Sequence, residues 1–435
     1  MRNRMFRMRG GGGWLLLLAE LLYLPVGFRS WNNGWTDPSI FLGLFAAQFF
    51  IVWHASRLAA LRPRILIAGA VLFRLTLLPA GFADGEWQRF QLYDSDIWRY
   101  LWDGHVLASG INPYRYAPRD PSLDALAVTG YWIDVRENIN YGYIPTIYPP
   151  AAQAVFALAF PFGVLGIKIA AVFFDLVALW FLILTLRLLK RPMSDALWYA
   201  WNPLVIKVFA GSGHIDSLAV AGIAGMFYAI ASGSKRGSTA AYLTAVLSKW
   251  SPLVLLPVLL WRVRRIHPAA LLLLLPVAAI PHLFDGASTF AQFWQFNGVP
   301  YEVLLEVFRY PMLAKLVAAA IVLATVAIPV AGNEGDLEWL ARRTGYTLGA
   351  LVVLSPAVMP WYVTWLLPSA ILGRDQRWIA FSGLVFVAFL VMVDGQERWW
   401  VTGAEYGALL CILSWTKEVK SEEYSIVDRD PGGAG

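Results

Sequence analysis

Long apolar runs separated by short polar or basic connections occupy most of this chain. Crossing a bilayer core takes about 20 apolar residues, fewer where neighbours bury the helix. On that measure the candidate spans are Trp14–Phe28, Ile40–Ser56, Ile65–Phe82, Gly166–Leu186, Ala196–Ala210, Leu218–Ala231, Pro268–Leu283, Met312–Val330, Thr344–Met359, Trp361–Leu372, Trp378–Val393 and Thr402–Ser414. The expected fold is therefore all-α, a polytopic integral membrane protein of about 12 transmembrane helices. Two apolar pieces carry proline or charge where a half-helix would break. They are Ala151–Phe162, and the pair Ala240–Leu247 and Leu253–Leu260, split at Lys249-Trp250-Ser251-Pro252. Re-entrant half-helices of this kind are tolerated where protein or water covers the backbone.

Basic residues decide the orientation. If the N-terminus is cytoplasmic and those two pieces do not cross, every strong cluster falls on one side: Arg57/Arg62/Arg64, Arg187/Lys190/Arg191, Lys235/Arg236, Arg262/Arg264/Arg265, Arg342/Arg343, Arg374/Arg377 and Lys417/Lys420. If the pieces did cross, Lys190 and Arg191 would lie outside. The first arrangement also leaves four polar islands on the outer face. These are the long loop 83–148, the turn Gly211–Asp216, the segment Asp285–Tyr310 and the loop Asp394–Arg398, joined by the bend at Ser355-Pro356 and Pro360-Trp361-Tyr362. Residues 1–416 read as one membrane domain with 83–148 as its outer catalytic loop, and 417–435 as a disordered cytoplasmic tail.

Composition agrees. Of 435 residues, 58% are hydrophobic and only 15% charged, too apolar for a soluble fold of this length. The 21 tryptophans gather near the ends of apolar runs, at headgroup depth. The net charge of +6 sits in the connections, which argues for topology and against nucleic acid. Cys411 is the only cysteine, so neither an internal disulfide nor a cysteine metal site is available. The basic start followed by Trp14–Phe28 resembles a signal peptide without a cleavage site, and reads as an uncleaved first span. The Gly10–Gly13 run lacks the strand before it and the Lys-Ser/Thr after it that a phosphate loop needs.

The stretch Tyr93–Pro118 is the polar exception. Asp94, Asp96, Arg99 and Asp103 crowd one or two helical turns, followed by the turn Gly110-Ile111-Asn112-Pro113-Tyr114. Charge of this density in a lipid-like chain calls for a wet or functional reason. A carboxylate with a raised pKa could take a proton from a hydroxyl. Asp-x-Asp could equally hold a divalent cation, or Asp94 or Ser95 could simply cap a helix beginning near Ile97.

Asp94-x-Asp96, Arg99-Tyr100-Leu101-Trp102-Asp103-Gly104, Gly110-x-Asn112-Pro113-Tyr114 and Tyr148-Pro149-Pro150, taken in order, resemble the first outer loop of the GT-C glycosyltransferases. The similarity is greatest to bacterial polyprenyl-phosphate-mannose-dependent mannosyltransferases. It continues through Asn202-Pro203-Leu204, Gly213-His214-x-Asp216, Lys249-x-Ser251-Pro252-Leu253 and Ser355-Pro356 to Trp365, covering roughly residues 70–370. Two spans precede the aspartate loop, where the simplest members have one.

The resemblance implies a multi-pass protein of the bacterial cytoplasmic membrane. It would transfer a sugar, mannose before other hexoses or pentoses, from a polyprenyl-phosphate donor to a hydroxyl of a glycan, lipid or protein acceptor on the outer face. One carboxylate base would invert the anomeric centre. Asp96 is the preferred base, with Asp94 the alternative. His214, Asp216, Lys249, Arg99, Arg309 and Arg398 are candidates for donor phosphate or sugar, against salt-bridge readings for Arg99, Arg309, Arg398 and Lys249. Asp103, Tyr114, Tyr148, Trp361 and Tyr362 are candidates for acceptor contact or loop shaping, against an Arg99 salt bridge for Asp103 and an aromatic belt for the rings. No cofactor is expected, and a metal at Asp94/Asp96 is not favoured. The rival class is a transporter or flippase of lipid-linked sugars, which would show paired repeats and mid-membrane charges.

Overall fold

The computed structural model describes residues 13–31, 38–57, 62–83, 86–87, 95–262, 264, 266–331, 336–394 and 399–414. It is helical throughout, apart from a two-residue antiparallel ladder of β1 (Phe82–Ala83) with β2 (Glu86–Trp87). Three helices open the chain: α1 (Gly13–Trp31), α2 (Pro38–Ser56) and α3 (Pro63–Leu77). The polar loop then folds as α4 (Asp96–Ala108), α5 (Gly130–Glu137) and α6 (Pro150–Ala159), and leads into α7 (Gly163–Leu188). The stretch Pro150–Leu188 is long and apolar enough to cross a membrane. Gly13–Val26, Ile40–Ser56, Asp216–Ala231, Pro311–Ala327 and Gln376–Val391 are apolar but shorter.

The expected half-helix at Ala151–Phe162 is α6, which packs along α4 within the loop region and is closed by a 3-10 turn at Phe160–Phe162. Gly104 of α4 makes that packing possible, because a Cβ there would lie 2.5 Å from the Phe156 carbonyl oxygen.

The run Ala196–Ala210 is not one span. It divides into α8 (Leu197–Ala200) and α9 (Pro203–Ile206), followed by a π-turn at Lys207–Gly211. The cause is local: Pro203 disfavours helix at the residue before it, and the Asn202 side chain instead accepts from the Leu204 amide. α10 (Asp216–Ala231) and α11 (Lys235–Ser248) form a helical hairpin against α7. Beyond Lys249, whose backbone is extended, the chain continues as a 3-10 turn, Ser251–Leu255, so the helix breaks where Lys249-Trp250-Ser251-Pro252 was expected to break it.

Pro268–Leu283 departs from expectation: a 3-10 turn gives way to α12 (Leu274–Ala278), then to turns. The polar segment that follows holds α13 (Asp285–Phe293) and α14 (Val299–Phe308), after which come α15 (Pro311–Ala331) and α16 (Leu337–Val353). α16 therefore stops short of the expected Met359, at the Ser355-Pro356 bend. Pro360–Leu366 is a 3-10 turn running into α17 (Leu367–Leu372), and α18 (Gln376–Leu384), α19 (Ala388–Asp394) and α20 (Trp399–Ser414) complete the fold.

Charges that the hydropathy pattern concealed lie between these helices. Arg74 of α3 pairs with Asp175 of α7 and donates to the carbonyls of Ala70 and Ala200, both at 2.8 Å. Lys168 of α7 donates to the Ala80 carbonyl at 2.7 Å, beyond the end of α3. A buried pair with its remaining donors satisfied is tolerated and ties three elements together.

Candidate active site

A cavity of about 310 Å³ lies where the polar loop meets the helical body. Ser95, Asp96, Arg99, Tyr148, Lys249, Trp361 and Tyr362 line it, together with residues of the 290–296 segment. Residues far apart in the chain meet here because several breaks fall at one level of the bundle: the start of α4, the turn before α10, the gap after α11 and the bend before Pro360.

Asp96 is the first residue of α4, with Ser95 at the N-cap making no side-chain cap bond, so capping by Ser95 is not what this serine does. The Tyr148 hydroxyl donates to Asp96 Oδ2 at 3.3 Å and lies 3.4 Å from the Tyr100 hydroxyl. That hydroxyl is 3.3 Å from His214 Nδ1, which in turn lies 3.8 Å from Asp96 Oδ2. Burial pushes the phenols of Tyr100 and Tyr148 well above their usual range, so both remain hydroxyls in this polar chain.

The turn that presents His214 depends on Gly213. Its φ of +75° is left-handed, and a Cβ would stand 3.0 Å from side-chain atoms of both Ile97 and Lys168. The imidazole stacks on Trp361 with centroids 3.9 Å apart, at an interplanar angle of 24°. Two residues on, buried Asp216 accepts from Trp365 Nε1 at 2.9 Å, and Lys249 Nζ lies 3.2 Å from its other oxygen. Lys249 is thus paired with an acid, the first of the alternatives expected of it, and also lines the cavity. Its ammonium also lies 4.8 Å from the Tyr148 ring centre and 5.6 Å from that of Tyr362.

The remaining candidates divide. Arg99 lines the cavity but is engaged, through Nε with Asp103 Oδ1 at 3.0 Å and through Nη2 with the Ile144 carbonyl at 2.6 Å. Asp103 is buried and also accepts from Gln153 at 3.1 Å, so it locks α4 to α6 instead of facing the cavity. Burial raises its pKa, with Arg99 opposing the shift. Tyr114 shapes the loop, donating to the Tyr148 carbonyl at 2.9 Å. Arg309 ends α14, exposed and paired with Glu306 at 2.6 Å, away from the cavity lining. Asp94 and Arg398 lie outside the described residues.

Tyr100, Trp365 and the aromatic segment Phe290–Phe296 were not singled out from the sequence. Tyr100 and Trp365 stand inside motifs already recognised, so their position was a usable signal; 290–296 lies inside the outer-face island Asp285–Tyr310, but nothing in the sequence marked its rings. Among the described residues no group of three or more His, Cys, Asp or Glu side chains could hold a metal.

At its opposite end the bundle is basic. Arg191 Nη1 donates to the Leu372 carbonyl, Arg342 Nε to the Gly373 carbonyl, and Arg374 approaches Glu338 at 3.6 Å. The Trp361-to-Leu372 stretch runs from the cavity to this cluster, and α10 runs from Asp216 towards Lys235 and Arg236.

No curated protein and no solved structure matches the chain. Residues 90–265, which carry Asp96, Tyr148, His214, Asp216 and Lys249, match the model of the alpha-(1->6)-mannopyranosyltransferase family, N-terminal domain, and this supports a mannosyltransferase family of the GT-C type.

Proposed function

We propose that this protein is a multi-pass membrane mannosyltransferase that takes mannose from a polyprenyl-phosphate donor and gives it to an acceptor hydroxyl at the outer face. The observation that carries the reading is one cavity lined by both the Asp96 carboxylate and the Lys249 ammonium. Asp96 takes the acceptor's proton as that oxygen forms its bond to the anomeric carbon. The bond from that carbon to the donor phosphate oxygen breaks, and its electron pair leaves with the phosphate. Attack opposite the leaving group inverts the centre.

A phosphate leaving group needs charge stabilisation more than a proton, so a cation held in place is sufficient apparatus. Asp216, itself held by a hydrogen bond from Trp365, pairs with that cation, and Tyr148 holds the base. The family match over 90–265 supports mannosyl transfer. The apolar helices around the cavity suit a donor with a lipid tail, and the basic cluster at the opposite end suits a cytoplasmic face there. No metal is assigned to the step.

The test is mannose transfer by purified protein in detergent from short synthetic polyprenyl-phosphate mannose, with and without EDTA. Transfer that survives EDTA and is lost in Asp96→Asn supports the reading. No transfer from any donor, with labelled lipid-linked sugar crossing a reconstituted bilayer instead, replaces it with transport.

A further inference from the structure

The cavity changes character from floor to mouth. Its floor is charged and largely buried: Tyr148 and Trp361 are nearly inaccessible, the Lys249 side chain is 11% exposed and that of Asp96 24%. Its mouth is open, with Asn140, Tyr141 and Gln295 exposed and Trp294 half-buried. Among the described lining residues the mouth carries no formal charge. It presents two large rings, with centroids 3.6 Å apart and planes tilted by 56°, and two carboxamides.

This mouth is built and anchored. The Phe296 amide donates to the Pro356 carbonyl at 3.0 Å, and the Val358 amide to the Phe296 carbonyl at 2.7 Å, which staples the segment to the bend that positions Trp361. The Asn297 side chain donates to Glu405 at 3.1 Å, and the Tyr406 hydroxyl donates to the Asn297 carbonyl at 2.5 Å. In contact with Trp294, Tyr141 holds a left-handed backbone with φ of 53°.

Rings that cover an apolar C–H face, beside amides that both donate and accept, match a neutral pyranoside. An anionic group would find near this rim only the Arg99 guanidinium, already engaged with Asp103 and the Ile144 carbonyl, and a prenyl chain would leave the amides unpaired. We propose that Tyr141 and Trp294, with Asn140 and Gln295, form the subsite for the acceptor sugar, holding a neutral hexopyranoside with its reacting hydroxyl towards Asp96. This rests on the transferase reading above and adds to it which residues receive the acceptor sugar.

The experiment uses the full chain in detergent and octyl α-D-mannopyranoside as acceptor, with KM measured separately for acceptor and donor. Trp294→Ala and Tyr141→Ala are expected to raise acceptor KM about tenfold with donor KM unchanged, and Trp294→Phe to restore most of it. Thermal unfolding of each variant separates loss of fold from loss of binding. An unchanged acceptor KM, or a rise confined to donor KM, overturns the proposal, the second result giving the rings to the lipid donor. Saturation-transfer NMR with methyl α-D-mannopyranoside gives an activity-independent reading. If the wild type transfers nothing yet binds the mannoside, and Trp294→Ala loses that binding, only the transferase reading fails. If the wild type does not bind it, the subsite fails.

Discussion

Lys249 Nζ and Asp216 Oδ2 stand 3.2 Å apart, joining the end of α11 to the start of α10 directly beneath the cavity. The hairpin between these residues is apolar along much of its length, so the pair is where two adjacent helices place their polar ends together. Removing one member strands the other. Asp216→Ala should cost about 3–5 kcal/mol of stability, the usual range for an orphaned buried charge. Lys249→Met in the same chain should recover part of that loss without recovering transfer. Unfolding midpoints of the two single variants and the double variant test this, and strict additivity would count against a coupled pair.

Asp96→Asn keeps the shape of the carboxylate and removes its basicity. Transfer should fall by about 10²–10⁴-fold in kcat, with little change in donor KM. A variant with near wild-type kcat would move the base elsewhere, and Asp94→Asn is then the next substitution to measure.

Gly104→Ala should loosen the loop without touching the cavity lining. The new methyl would meet the Phe156 carbonyl, so α4 and α6 must part, at about 1–3 kcal/mol. Hydrogen exchange should rise along both helices. Protection equal to the wild type would show that the backbone gives way more cheaply than the contact distance implies.

His105 makes the loop sensitive to acid. Its imidazole lies parallel to Trp132, with centroids 4.0 Å apart and planes within 6°, and burial lowers its pKa below the usual value of about 6.5. With the folded pKa below the unfolded one, the neutral ring's contribution is complete above the unfolded value. It is lost as pH falls through the lowered, folded one. Hydrogen exchange in α5 should therefore accelerate on acidification in the wild type and much less in His105→Phe. Equal acid sensitivity in both would assign the effect to another group.

The aromatic mouth was legible only as part of the outer-face island Asp285–Tyr310: residues 290–296 contain no charge, and only the folded chain brings the Trp294 ring against Tyr141. Arg309 shows the converse. It stands in a segment that does reach the cavity, but it caps α14 in a left-handed turn facing away from the lining. Asp103 was read as either acceptor contact or salt bridge, and its burial with Arg99 and Gln153 selects the second.

Local chemistry was sufficient for the helical class, the breaks at Lys249 and at Ala151–Phe162, and the polar island at Asp96. Apolar runs without unpaired backbone, prolines without an N–H and crowded carboxylates each act within a few residues. The broken span at Ala196–Ala210, the hidden Arg74–Asp175 pair and the meeting of Asp96, His214, Lys249 and Trp361 depended on packing. Those outcomes are set by which helix ends fall at the same level and which buried charges find a partner across the bundle. Such relations join residues more than 100 positions apart, and only the tertiary structure decides them.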